Sequence, residues 1–504
     1  MSVTPDIAAF TALYERGEPQ VVSSVLVADL ETPVSAFLKI AGERPNSFLL
    51  ESVEGGATRG RYSMIGIEPD LIWRCRGNAA EINRHAAHAP DSFEPCPEAP
   101  LVSLRKLVAE SRIALPAGSP PMAAGIFGYL GYDMVRQMER LPEPKADLLG
   151  VPDAIFFRPT VMVVFDAVRD ELTVVTPVRP QPGVSAGAAY ESAMERIERV
   201  TAALDSALPN LPTGDAFHQD VAPLSNTEPA QYLAMVERAK EYIRAGDIFQ
   251  VVLSQRFDAP FTLPPFSLYR ALRRINPAPF LVYFNFGGFS LVCSSPEILV
   301  RLRDNTVTIR PIAGTRPRGA TPHDDKALED ELLADPKERA EHLMLLDLGR
   351  NDVGRVASIG SVHVTDSFFI ERYSQVMHIV SNVEGTLDPR RDALDALAAG
   401  FPAGTVSGAP KVRAMEIIDE LERDKRGIYA GAIGYFGADG EMDTCIVLRT
   451  AVVKDGKMHV QAGAGIVYDS VPESELQECV NKAKALFRAG EEAVRFAARA
   501  GRGQ

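Results

Sequence analysis

A chain of 504 residues that is 46% hydrophobic has apolar side chains enough for a large core and the length for two or three domains. With 67 acidic against 53 Lys and Arg residues and a net charge of −14, it lacks the basic surface a nucleic acid or anionic membrane would require, so any bound anion must be held by a local site. Five scattered cysteines (Cys75, Cys96, Cys293, Cys445 and Cys479) without CxxC spacing suggest neither a disulfide framework nor a zinc site, and with no basic-apolar leader or membrane-length apolar run they fit a cytoplasmic protein.

Residues 1–176 read as a β-rich region. Phe48 to Ser52 and Tyr62 to Gly66 predict a hairpin around Gly55-Gly56, Ala124 to Tyr132 packs aromatics between glycines, and Phe156 to Val164 with Leu172 to Val175 forms another strand pair. Residues 177–225 shift toward Pro, Gly, Ala and Ser around one helical segment, Tyr190 to Leu204, which predicts a connector with PNLPTGDAFHQD its least ordered part.

Residues 226–495 open on Asn226 as a candidate N-cap for a helix from Pro229 to Ala245, stopped by Gly246. Ile248 to Ser254 reads as a strand, Leu268 to Arg274 as a short helix, and Phe280 to Phe286, Leu291 to Cys293, Leu299 to Arg303 and Val307 to Ile309 as strands at hairpin spacing. Asp335-Pro336-Lys337-Glu338 is a helix start, with Asp as N-cap, Pro at the first position and Glu338 as a capping partner; the helix reaches about Leu348 and sets Glu338 and Glu341 one turn apart. Tyr373 to Val383 is a strand bearing His378. Phe401 to Lys411 is a turn into a helix ending near Leu421, and it misses the phosphate-loop pattern, which argues against a nucleotide substrate. Tyr429 to Phe436 and Thr444 to Val453 read as strands carrying Tyr429 and Arg449. No βαβ alternation appears, so the fold class is α+β, built on large, mainly antiparallel sheets.

The stretch Gln461 to Lys484 carries the densest chemistry. Gly463-Ala464-Gly465 reads as a bend that brings bare N–H groups to an anion, Ser470 with Glu473 as a capping box, and Glu475 with Glu478 as a pair on one helix face. Two readings stay open: Glu478 pairs with Lys482 and the glycines make a plain turn, or the carboxylates share a hard divalent cation, Mg²⁺ rather than zinc. Together the two Glu pairs, the glycines and the Arg449 fork describe a site for a small, multiply charged organic acid.

PIAGTRPRG (Pro311 to Gly319), ERAEHLMLLDLGRNDVGRV (Glu338 to Val356), VMHIVSNVEG (Val376 to Gly385), FPAGTVSGAPKVRAMEIIDELE (Phe401 to Glu422), the Gln461 stretch and LLES (Leu49 to Ser52) resemble the chorismate-utilising enzyme family, on its anthranilate-forming branch. The resemblance implies two facing β-sheets clad in helices, with Glu341 and Glu478 binding Mg²⁺ beside Glu338 and Glu475. It places Gly314, Thr315, Tyr429, Arg449, Gly463, Ala464, Gly465 and Lys482 around chorismate, and Thr405 in the same pocket. Glu297 matches the acid that protonates the departing hydroxyl, and His378 is tied to pyruvate elimination. Gln250 stands where water-adding relatives carry Lys, and Ala313 where aminodeoxychorismate synthases carry a nucleophilic Lys. Aminodeoxychorismate formation and a non-catalytic tryptophan-binding role are the alternatives. The chain shows no glutaminase elbow, which implies a separate glutamine amidotransferase partner in a hetero-oligomer, and Ser52, Pro279, Phe280 and Leu281 match tryptophan-binding positions for feedback control.

Overall fold

The structure, a computed structural model, describes residues 2–54, 58–120, 122–209, 222–373 and 376–497; the Gly55-Gly56 turn and most of PNLPTGDAFHQD lie outside them. Every strand pairing among the described residues is antiparallel. A single ladder runs from Gln250–Pro260 through Lys457–Ile466, Thr450–Lys454, Ser290–Ser295, Phe280–Asn285, Ser47–Glu54, Thr58–Arg76 and Ala154–Asp166. It continues through Gly125–Leu130, Ala432–Gly437, Met442–Ile446, Ile298–Arg303 and Thr306–Ile309 to Val376–Thr386.

Side-chain alternation along these strands decides the layers. Phe48 and Leu50 enter a core shared with Phe127, Phe157 and Phe284, supplied by strands and their connections. Phe48 stacks on Phe127 at 4.5 Å between ring centres, and losing a ring of that kind costs about 3–5 kcal/mol. Leu49, pointing the other way, packs with helices Pro33–Ile40, Pro265–Ile275 and Pro472–Ala497. The one ladder therefore folds over an aromatic core on one face, and helices clad its other face. The helix Ala186–Leu204 in the connector buries Ala193, Ile197 and Val200 against this same outer layer.

Local chemistry explains most helix ends and corrects several expectations. Gly246, at φ 83, closes Pro229–Ala245 as expected, but Glu228 with Gln231 makes the cap; Asn226 is spent on Arg256 N and Asp424. Asp335 caps Pro336–Gly354 through the amides of Lys337 and Glu338, and the helix runs past Leu348. Glu338 does not complete a capping box, because its carboxylate meets Arg316 at 3.2 Å. Ser470 does not pair with Glu473 either: its hydroxyl accepts from Val467 N at 3.0 Å and turns toward Glu475.

Candidate active site

The ladder folds back so that its two ends, and two interruptions along it, meet in one place. Glu297 lies in the break between Ser290–Ser295 and Ile298–Arg303. Arg449, expected inside a strand, instead lies between Met442–Ile446 and Thr450–Lys454 at φ 49, a left-handed backbone that costs a residue with a Cβ about 1–2 kcal/mol. Such strain is tolerated where it aims a side chain.

Glu297 is 7% exposed and accepts a hydrogen bond from Thr405 Oγ1 at 3.2 Å. Burial pushes its carboxyl up to about 8, against the opposing pull of Thr405 and Arg449, so it carries a proton at neutral pH. Arg449, depressed by burial, has no hydrogen bond or ion pair at its guanidinium among the described residues. A protonated acid beside an unpartnered cation suits a carboxylate ligand whose neighbouring oxygen is to be protonated.

His378 sits on Val376–Thr386 opposite Thr315. Its Nδ1 lies 3.0 Å from both Gly314 O and Thr315 Oγ1. A carbonyl oxygen only accepts, so Nδ1 carries the hydrogen and Nε2 is left as a base; burial lowers the ring to about 4 and keeps it neutral. The Tyr373 ring, which sequence reading missed, meets His378 edge-on at 5.4 Å. Gly314 has φ 69 and lies so near Glu338 that a Cβ would stand 3.2 Å from Oε2.

Gly463, Ala464 and Gly465 do not form a loop. They belong to Lys457–Ile466 and pair with Ser254, Leu253 and Val252, while the strand on their other side stops at Val460. Small residues are required there by crowding rather than by a bend: a Cβ on Gly463 would meet Leu253 O at 2.9 Å and Tyr429 Oη at 3.0 Å, and one on Gly465 would meet Gln250 Nε2 at 2.5 Å. Gln250 is 4% exposed. Tyr429 precedes the strand Ala432–Gly437 instead of lying in it, and its ring packs under Arg426. Arg426, another residue the sequence did not single out, forks to Glu422 and donates to Val406 O and Val252 O at 2.7 Å each, tying the Thr405 turn to the Gln250 strand. Both are buried, as a charge pair must be hydrogen-bonded to survive there.

Of the four expected metal carboxylates, Glu338 and Glu341 lie on helix Pro336–Gly354 and Glu475 and Glu478 on Pro472–Ala497, with Glu341 in electrostatic reach of Glu338 and Glu478. Burial, then Glu338 and Glu478, raises Glu341; burial, then Glu478, raises Glu475. Glu341 makes no hydrogen bond or ion pair among the described residues, whereas Glu478 holds Lys482 at 2.7 Å, and Lys482 also donates to Gly463 O at 2.9 Å. The Glu478–Lys482 pair of the first reading is therefore present, although its plain glycine turn is not. As the side chains stand, no three such groups among the described residues converge tightly enough to hold an ion. The unpaired Glu341 carboxylate and the mutual repulsion nonetheless fit a hard cation better than an empty acidic cluster.

Ser52 lies directly opposite Phe280, and its hydroxyl donates to Tyr62 O at 3.0 Å. Ser52, Pro279, Phe280 and Leu281 together line a cavity of about 610 Å³ that extends to Pro296, Ile312 and Tyr373, neighbours of Glu297 and His378. Among the described residues no helix is long and apolar enough to cross a membrane.

Residues 56–488 match the profile of the chorismate binding enzyme family. Anthranilate synthase component 1 of Cereibacter sphaeroides is 59% identical to this chain over 495 residues, covering 98% of it and 99% of that protein. The Thermus thermophilus component 1 is 48% identical over 465 residues, with coverage of 92% and 96%. Among solved structures, anthranilate synthase component I from Streptococcus pneumoniae superposes with a TM-score of 0.75 at 36% identity, covering 92% of this chain and 99% of that one. The menaquinone-specific isochorismate synthase of Escherichia coli gives a TM-score of 0.71 at 19% identity over 96% and 99%, a likeness of fold alone.

Proposed function

The chain belongs to the chorismate binding enzyme family, and from that membership we propose that it is the ring-aminating component of an anthranilate synthase, converting chorismate and ammonia to anthranilate and pyruvate. The observation that carries the reading is Glu297, buried and pushed up to about 8 beside Arg449, whose guanidinium has no hydrogen bond or ion pair among the described residues.

Chorismate carries two carboxylates. Arg449 takes the enolpyruvyl carboxylate, with Tyr429 and the uncovered edge of Gly463 to Gly465 alongside. Glu341 and Glu478, supported by Glu338 and Glu475, would hold Mg²⁺, which when bound offers positive charge to the ring carboxylate. Ammonia forms the new C–N bond at the ring while the hydroxyl leaves as water, taking the proton of Glu297, and the surplus proton on the nitrogen passes to solvent. His378 Nε2, bare because Nδ1 is committed to Gly314 O, takes the ring proton as pyruvate is lost. Gln250, where the water-adding relatives place a Lys, and Ala313, where a covalent mechanism needs one, leave ammonia as the nucleophile.

The relatives are named as component 1, which implies a second component; we assign it as a glutamine amidotransferase delivering ammonia. The 610 Å³ cavity around Ser52 and Phe280 is our candidate for tryptophan feedback. The test is chorismate with Mg²⁺ and an ammonium salt, without glutamine or partner. Anthranilate fluorescence supports the reading; aminodeoxychorismate, isochorismate or no conversion refutes it.

A further inference from the structure

Tyr373 sits in the short connection between the strands His363–Arg372 and Val376–Thr386. Its backbone is pinned on both sides: the amide donates to Val376 O at 2.8 Å, and the carbonyl accepts from Arg318 Nη1 at 2.7 Å. Only the side chain is left to swing. The residue is 7% exposed, yet it belongs to none of the apolar clusters among the described residues. Its ring meets His378 edge-on at 5.4 Å, and Tyr373 also lines the 610 Å³ cavity together with Glu371 and Arg310. A ring outside the apolar clusters, with open space beside it, is held weakly by packing. Its hydroxyl supplies what packing does not: Oη donates to Glu371 Oε2 at 2.8 Å, and Arg310 holds Glu371 Oε1.

We propose that Tyr373 is a positioning residue for His378, clamped by Glu371 and Arg310 so that its ring edge sets the direction of Nε2. The inference rests on the reading of His378 as the elimination base. Among the described residues His378 is hydrogen-bonded through Nδ1 alone, which fixes the tautomer but lets the ring tilt about that bond. The edge of Tyr373 closes off the tilt. In the step concerned, the ring proton passes to Nε2 while the C–O bond to the enolpyruvyl group breaks. Its electron pair leaves with the enolate of pyruvate, which takes a proton from solvent. Displacing a base by about 1 Å costs up to about 100-fold, so a loosened ring slows this step. Burial holds the phenol proton on Tyr373, so the residue adds no charge beside Glu297 and Arg449. Amination makes no use of Nε2, and the clamp therefore acts on the second step.

The test follows one turnover of chorismate with Mg²⁺ and an ammonium salt by rapid quench, with chromatography of the aminated ring that still bears the enolpyruvyl group. Y373F keeps the ring and removes only the hydroxyl. Were the ring held by packing, this variant would be silent; the clamp predicts elimination slowed about tenfold, the aminated ring accumulating, and amination within about twofold of the wild type. E371A removes the same hydrogen bond from its other end and should behave alike. E371Q keeps an acceptor oxygen and should recover elimination to within about threefold. Elimination at the wild-type rate in Y373F or E371A, equal slowing of both steps, or no recovery in E371Q overturns the clamp. H378A separates this inference from the reading beneath it. If H378A accumulates the aminated ring and Y373F and E371A do not, the clamp falls and the base stands; if H378A accumulates none, the base falls and the clamp with it.

Discussion

Thr405 Oγ1 donates to Oε1 of Glu297 at 3.2 Å, so the acid is tethered to the turn Gly404–Val406 rather than to either strand that flanks it. The bond favours the ionised form, and burial overrides it. Glu297→Gln should therefore lower kcat by about 100- to 10,000-fold. The acid works only while protonated, so its contribution is full below a pH of about 8 and lost as pH rises through that value. At constant free ammonia, kcat/KM should fall on the alkaline side of that point, and Thr405→Val, by removing a bond to the charged form, should move the limb upward. A pH profile unchanged in both variants would contradict the assignment.

His378 is held below its ordinary value, at about 4, and is neutral across the physiological range. Its loss should act on elimination rather than amination. His378→Ala is expected to slow anthranilate release about 100-fold and to accumulate an aminated ring that still bears the enolpyruvyl group, detectable by chromatography. Equal slowing of both steps would argue that the ring only packs.

Gly465→Ala places a Cβ 2.5 Å from Gln250 Nε2, and Gly463→Ala places one 2.9 Å from the backbone oxygen of Leu253. A flexible side chain yields more readily than a backbone, so the Gly463 variant should be the more damaging, by about 1–3 kcal/mol in stability, with a raised KM for chorismate. Thermal melts and steady-state kinetics on the two variants test the order.

Phe280 lies directly opposite Ser52, and both face the 610 Å³ cavity. Ser52→Phe should fill part of that space and raise the tryptophan inhibition constant about tenfold or more, without a matching rise in the chorismate KM measured in its absence. Parallel changes in both would place tryptophan at the substrate site instead.

The antiparallel α+β class was legible because runs such as Phe280 to Phe286 are short, rich in aromatic and branched apolar residues, and sit at hairpin spacing. What failed were local rules that tertiary contacts outbid. Asn226 looks like a cap, yet its side chain is more useful bridging Arg256 and Asp424. Gly463 to Gly465 looks like a bend because crowding by Tyr429 and Gln250 selects glycine as strongly as a turn does. Arg449 reads as strand because nothing in its neighbours announces φ 49. The residues of the site came from ordered motifs, and their assembly from the folding back of one ladder, which no single stretch encodes. Arg426 and Tyr373 carry no sequence signal at all; only their long-range partners mark them.

Glu341 and Glu478, on two different helices, are the pair on which the handling of a dianionic substrate depends. Because burial and its acidic neighbours raise Glu341, folding favours its protonated form, so without metal this group contributes stability that is lost as pH rises through its folded pKa. A bound cation reverses that loss. The decisive measurement is Mg²⁺ titration of thermal stability and of turnover in the wild type, Glu341→Ala and Glu478→Ala. The account predicts that Mg²⁺ raises the melting temperature and supports turnover in the wild type and does neither in the variants; metal-dependent turnover surviving intact in either variant would contradict it.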